Sequence, residues 1–341
     1  MLLIDLVNNW PRQYDIHLIL LQNRDELTDL LYSNRRIYKH ILNEQVSFCC
    51  QINRIRKYFK RNNIEFCLSH LERPNKICLF ASFLTKTKVF PVIHSINIYD
   101  STPGLNRIFA SLIYRLLSKK MIAISGPVRD YCIKKLKIRK ARIVQIDNGI
   151  DFKRIRKYKQ ALQFNGSINF ATLGRLERVK GYDLLLEAMG NTKIMNMNWS
   201  LKIIGNGAEI EDLKLKASSL GISEKVVFTG ANKHPFKLLS DVHFLVMPSR
   251  REGLPLSLLE ALGYGIPVIV SNIGVLPYII DNGRNGFVFE SENIDMLEDL
   301  ILHCLKIDPQ RHLQLSLFAQ KSVEGYSIDK CIKKYVEIIE N

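Results

Sequence analysis

Three times between residues 168 and 271 the chain repeats one unit: an apolar run, a short loop with glycine, and a helix-forming stretch. The runs are Asn169-Phe-Ala-Thr-Leu, Leu201-Lys-Ile-Ile and Val242-His-Phe-Leu-Val-Met. Runs this short and apolar read as strands covered on both faces, and strands separated by helices pair in parallel through long crossovers. The alternation therefore dictates an α/β fold built on a doubly wound parallel sheet. In such a sheet every strand-to-helix loop leaves on the carboxyl edge, where ligands bind.

The loop after the third run is the richest in chemistry. Pro248-Ser-Arg-Arg-Glu-Gly-Leu-Pro255 leads into a helix predicted from about Leu256 to Tyr264, with Leu258, Leu259, Ala261 and Leu262 as its core face. Free N–H groups and the positive dipole end make the start of that helix an anion site, so a phosphate is expected on Gly253 and Leu254. Glu252 lies on the loop, at the mouth. Glu260 follows eight residues later, a little over two turns at about 3.6 residues per turn, and returns toward the same crevice. A carboxylate accepts hydrogen bonds from paired hydroxyls, which suits a sugar ring at Glu252 and a ribose at Glu260. Read alone, the pair is equally two acids on a helix surface.

The first run ends in Gly174-Arg175 and continues through Lys180-Gly181 into an amphipathic helix. Arg175 and Lys180 thus bring fixed positive charge to the edge that carries Glu252, as a nucleoside diphosphate leaving group requires. The second run ends in Gly205-Asn-Gly207. A lone Gly-x-Gly is most often a turn, but its place at a strand end makes it a candidate ligand loop.

Taken together, Gly174-Arg-Leu-x3-Lys-Gly181, Val226-Val-Phe-Thr-Gly230, Pro248-Ser-x2-Glu-Gly253 with Glu260, and Asn285-Gly-Phe287 resemble the motifs of the family 4 retaining glycosyltransferases. The match is strong over about residues 169–289 and extends more weakly through Asp147-Asn-Gly-Ile-Asp151 to most of the chain. The resemblance implies the GT-B fold, two Rossmann-like domains facing across a cleft. It also implies transfer of a sugar from a nucleotide donor with retained configuration and no metal or other cofactor, and no Asp-x-Asp pair stands at a strand end here. Residue by residue, Arg175 and Lys180 would hold the diphosphate, Glu252 the sugar hydroxyls and Glu260 the ribose. Gly174, Gly205 and Gly207 would line the donor loops, and Gly253, Leu254 and Pro255 would meet phosphate and sugar through their backbone. His94, at the end of Val89-Phe-Pro-Val-Ile, matches the histidine that the family places beside the transferred sugar. In this chemistry the leaving diphosphate itself helps take the acceptor proton, so the protein mainly positions groups and stabilises charge.

The 341 residues suggest two domains. The expected division is 1–157 for the acceptor side, 158–325 for the donor side, and 326–341 for a helix crossing back to the first domain. First-domain strands are expected near 15–21, 66–69, 89–94, 121–125 and 143–147. The family also opens with a strand and a glycine-rich loop ahead of the helix whose end here reads Met1-Leu-Leu-Ile-Asp-Leu-Val-Asn-Asn-Trp10, so the first domain is expected to lack about 15 to 20 residues of that pattern, one strand plus its loop.

Charge divides unevenly. Residues 1–160 hold 30 Lys and Arg against 12 Asp and Glu, a net of +18, whereas residues 161–341 hold 19 against 21, a net of −2. One basic cluster is Arg54, Arg56, Lys57, Lys60 and Arg61, and a second is Lys134, Lys135, Lys137, Arg139, Lys140 and Arg142. In the absence of a recognisable nucleic-acid module or stacking platform, nucleic acid is excluded as partner. The patch then reads either as a solvated face or as the approach for an anionic membrane and a lipid-linked or polyanionic glycan acceptor. A lipopolysaccharide, capsule or O-antigen chain would qualify, with UDP the expected donor nucleotide. Seven cysteines without metal spacing point to a reducing cytoplasm, and the expected location is the inner face of the plasma membrane. No signal-peptide pattern is read at the N-terminus, where Asp5 interrupts the apolar stretch. A dehydrogenase is excluded for want of Gly-x-Gly-x-x-Gly opening a helix. The alternative to an enzyme is a binding or scaffold protein on the same fold.

Overall fold

A computed structural model of the chain describes residues 1–21, 28–32, 36–41, 46–95, 104–158 and 162–340. The chain divides into two units, Met1–Gly149 with Ile328–Asn341, and Ile150–Ser327.

The first unit runs α1 (Leu2–Asn9), β1 (Ile16–Leu20), β2 (Ile37–Ile41), α2 (Phe48–Arg61), β3 (Phe66–His70), α3 (Glu72–Ser82), β4 (Lys88–Ile93), α4 (Gly104–Leu117), β5 (Met121–Ala123), α5 (Gly126–Lys134) and β6 (Ile143–Gln145). Strands β3, β4, β5 and β6 form one parallel sheet in that order, and β1 and β2 form a separate parallel pair. Among the described residues the strands of this unit thus fall into two separate sheets. Among the described residues β1 has only β2 beside it, and β3 only β4. Helix α2 buries Ile55 and Phe59, one turn apart, and leaves Arg54, Lys57, Lys60 and Arg61 in solvent. Arg56 departs from the basic cluster. It turns back to donate to the carbonyls of Phe80 at 2.9 Å and Ala81 at 3.4 Å, satisfying the end of α3.

The second unit contains α6 (Phe152–Arg156), β7 (Ile168–Leu173), α7 (Tyr182–Met189), α8 (Thr192–Met195), β8 (Trp199–Ile204), α9 (Ile210–Ser219), β9 (Val226–Gly230), β10 (Phe244–Met247), α10 (Leu256–Tyr264), β11 (Val268–Ser271), α11 (Leu276–Ile279), β12 (Gly286–Phe289), α12 (Ile294–Leu305) and α13 (Pro309–Ser322). Its parallel sheet has the order β12-β11-β10-β7-β8-β9. The chain steps outward from β7 to β9 and then restarts on the other side of β7 with β10. The order therefore reverses between β7 and β10, whose stacked Phe170 and Phe244 anchor the core at 6.0 Å between ring centroids. Loops diverge at such a reversal and leave a crevice at the carboxyl edge.

The division falls at Gly149 rather than at residue 157, because α6 packs on α10 and joins the second unit. The terminal helix α14 (Ile328–Glu340) returns to the first unit and packs on α1, with Trp10 against Tyr335.

Candidate active site

The loops after β7 and β10 meet where the strand order reverses. Arg250 fastens them together. It donates to both oxygens of Asp183 at 2.8 Å and to the carbonyl of Arg178 at 2.7 Å, and its own backbone N–H donates to Val179 O at 2.8 Å. Burial alone would raise the Asp183 carboxyl, but the hydrogen bonds and charge of Arg250 outweigh it and hold the group below its usual range. Close packing also explains Gly181. Its φ is +69°, and a Cβ there would lie 1.9 Å from the carbonyl oxygen of Pro248.

With the loops fixed, Lys180 Nζ donates to Glu252 Oε1 at 2.7 Å and Ser249 Oγ donates to the same oxygen at 2.9 Å. None of the described residues bonds the other carboxylate oxygen, Oε2. Glu252 is buried at 9% exposure, so this arrangement holds a desolvated carboxylate with one acceptor filled and one left for a ligand. The Tyr182 hydroxyl covers Gly174 so closely that a Cβ on the glycine would come within 2.8 Å of it. Burial first, and then the charge of Glu252, push the Tyr182 phenol well above its ordinary range, which keeps it a neutral donor.

The other expected residues are placed less uniformly. Arg175 is largely exposed and pairs at 2.6 Å with Glu177. A pair this exposed contributes little, so a phosphate can exchange for the carboxylate. Gly205 and Gly207 run against backbone: a Cβ would meet Gly174 O at 1.8 Å and Leu176 O at 2.2 Å respectively. Their immediate physical reason is thus the joining of two loops. Gly253, Leu254 and Pro255 are buried beneath the start of α10, whose N-cap residue Pro255 makes no side-chain cap hydrogen bond. Glu260, 4% exposed, accepts from Arg154 at 2.7 Å, and that guanidinium lies over the Phe236 ring at 5.1 Å. The site was expected to hold Lys180 and Glu252 as separate contacts, and the structure joins them in one ion pair.

His94 lies in the first unit, directly after β4, with its Nε2 at 2.8 Å from His70 Nδ1. Burial lowers its titration to about 4, so the ring is neutral at ordinary pH.

Sequence reasoning missed Ser249, Tyr182, Arg154 and His70. Ser249 and Tyr182 carried a signal, since each is within three residues of a residue already singled out. Arg154 and Glu260 are 106 positions apart, and no local pattern joins them.

A cation and a carboxylate thus meet beside the start of α10 at the switch point of a doubly wound sheet, the place where α/β proteins bind ligands. Two family descriptions match the chain, Glycosyltransferase Family 4 over residues 2–154 and Glycosyl transferases group 1 over residues 154–316. The chain belongs to this family of glycosyltransferases. An uncharacterized glycosyltransferase of Haemophilus influenzae is 30% identical over 172 residues, 49% of this chain and 48% of that protein, so the match spans about half the length of that relative. The UDP-Gal:alpha-D-GlcNAc-diphosphoundecaprenol alpha-1,3-galactosyltransferase of Escherichia coli is 24% identical over 357 aligned positions, 96% of this chain and 90% of that protein. The crystal structure of Anabaena HepE in complex with UDP-glucose has a TM-score of 0.86 at 17% identity, covering 99% of this chain and 94% of that one. That likeness carries the fold, which is GT-B.

Proposed function

We propose that the chain moves a hexosyl group from a nucleoside diphosphate sugar, UDP-linked, to a lipid-linked acceptor in cell-surface glycan assembly, with retention and without a metal. The observation that carries this reading is the Glu252 carboxylate, held by Lys180 and Ser249 through one oxygen with the other unoccupied by any described residue. In the reaction the bond from the anomeric carbon to the diphosphate breaks while an acceptor oxygen bonds to the same face, and the acceptor proton passes to the leaving oxygen. Glu252 Oε2 accepts from a sugar hydroxyl, and Lys180 and Arg175 offset the charge that grows on the diphosphate. Glu260 takes the ribose, and His94 meets the transferred sugar. Support for the donor comes from HepE, solved with UDP-glucose, and support for the acceptor from the E. coli relative, whose acceptor is a diphosphoundecaprenol-linked sugar. Calorimetric titration with UDP, GDP and their sugar conjugates tests the site: the expected result is saturable binding of UDP and a UDP-sugar. Failure to bind any nucleoside diphosphate would favour the scaffold reading, which draws on the two-piece sheet of the first unit.

The acceptor reading places the protein at the inner face of the plasma membrane. No helix of the described residues is long and apolar enough to cross a membrane. The first unit instead offers a surface. On α4, Ile108, Phe109, Leu112 and Leu116 are all exposed, while Ala110, Ile113 and Tyr114 supply the buried side. Arg142 donates to Arg115 O at 2.6 Å, which brings the exposed Arg139 and Lys140 to the end of this apolar stripe. An apolar stripe with basic residues at its border suits the surface of an anionic bilayer. Each basic residue near such a surface contributes about 1 kcal/mol. Neutralising Arg139, Lys140 and Arg142 together is expected to weaken flotation with phosphatidylglycerol vesicles about a hundredfold, and Phe109→Ser with Leu116→Ser to abolish it. Unchanged flotation in both variants would remove the membrane from the proposal.

A further inference from the structure

The carboxyl ends of β3 and β4 bring two histidine rings together. In the parallel register His70 stands opposite Val92, so His94, two residues beyond Val92, projects from the same face of the sheet. The two rings meet with Nδ1 of His70 at 2.8 Å from Nε2 of His94, centroids 5.0 Å apart. Asn75 of α3 donates to Val92 O at 3.1 Å and ties the end of β4 to the adjoining helix. The pair is therefore fixed by backbone register and by a buried amide.

A hydrogen bond between two neutral imidazoles needs one N–H and one bare nitrogen, which leaves two arrangements. If His94 donated through Nε2, His70 would carry its own proton on Nε2. That atom is buried and has no partner among the described residues, so an N–H would be orphaned in the core. If His70 donates through Nδ1, the orphaned atom is a bare acceptor instead. Buried N–H groups without partners are the rarer defect. A charged ring is disfavoured in either place, since burial and the neighbouring imidazole both oppose protonation of His70, and burial opposes it in His94.

We infer that His70 is a positioning residue that fixes the tautomer of His94, leaving His94 as a neutral ring with its proton on Nδ1. None of the described residues bonds that Nδ1. His94 keeps partial exposure, and this N–H is the one ring donor left for a ligand oxygen. The inference rests on the reading of His94 as a residue that meets the transferred sugar. It adds that the contact is donation to a sugar or leaving-group oxygen, not acceptance of a proton from the acceptor.

Nitrogen-15 NMR of the histidine rings in the full chain tests the tautomer without reference to activity. The expected spectrum shows His94 protonated on Nδ1, and a wild-type His94 protonated on Nε2 overturns the inference. In His70→Ala the His94 proton is expected to shift toward Nε2, with kcat for sugar transfer falling ten- to a hundredfold at little change in donor KM, the scale on which loss of an orienting partner acts. His70→Asn places an amide N–H close to the position of Nδ1 and is expected to recover most of the rate and the tautomer. Should His70→Ala fail to fold, His70→Asn and the wild-type spectrum still decide. A His94→Ala variant with full activity would sink the reading of His94 itself, whereas an inactive His94→Ala beside a normal His70→Ala would sink only the role of His70.

Discussion

Glu252→Gln is expected to lower sugar transfer by about 10²–10³-fold per folded molecule, the loss typical of one group that acts on the transition state. Glutamine is the informative substitution because the structure gives Glu252 a structural task as well. Its Oε1 balances Lys180, which is 18% exposed, and receives Ser249. Alanine would strand the Lys180 charge in a partly buried site, and removing one member of such a pair costs about 3–5 kcal/mol. Glutamine keeps an acceptor for Ser249 but removes the countercharge, so some melting temperature is still lost. Against a Lys180→Met background the stability cost of Glu252→Gln is expected to disappear, since the charge it balanced is gone, and a double-mutant cycle on the urea midpoint measures that coupling. If Glu252 only positions Lys180, the further loss of activity from Glu252→Gln disappears in that background as well. If Glu252 also contacts the sugar, that further loss persists.

The second unit was the more legible half, for a physical reason. Strands β10 and β11 are buried on both faces and β7 nearly so, so their sequences are short and apolar, and the loops after β7 and β8 keep glycine where backbones touch. Lys180 and Glu252 were found because each lies within a few residues of such a glycine. Strand β2 was not found. Four of its five residues are exposed, and Tyr38, Lys39 and His40 give it no apolar signature. Its pairing with β1 is set by the sheet and not by its own composition. In the sequence the basic cluster on α2 reads as five equivalent charges, but Arg56 is a helix-end donor because α3 lies against it in space. The same limit hid Arg154, which holds Glu260 across a long sequence separation. Contacts between distant residues leave no local pattern, and in this protein they decide how each carboxylate is satisfied.

Acid is expected to destabilise the protein well before its carboxylates titrate. His243 is 1% exposed, and its Nδ1 accepts the backbone N–H of Asn169 at 3.0 Å, a bond that pins the start of β7 beside β10. Protonating Nδ1 would turn two donors against each other. Burial first, and then the charge of neighbouring His312, lower the titration of His243 to about 4. His312 is lowered for the same primary reason, burial, and its Nε2 lies 2.8 Å from His243 O. In the first unit His70 and His94 are lowered as well, His94 to about 4. The unfolded chain takes up these protons near pH 6.5, and the folded chain refuses them. Stability from these groups is therefore complete above about pH 7 and declines as pH falls from about 6.5, with the His243 and His94 contributions spent near 4. His243 alone accounts for about 3 kcal/mol at the bottom of that window, at about 1.4 kcal/mol per pH unit of displaced titration. The Asp183 carboxyl, held below its usual range, loses its contribution only at lower pH and does not confuse the assignment. Urea midpoints between pH 7.5 and 4.5 provide the measurement, made on the wild type and on His243→Asn, whose amide oxygen can accept the Asn169 N–H but does not titrate. The variant is expected to lose its share of the pH slope in the second unit, and a slope identical to wild type would show that His243 is not the group the acid finds.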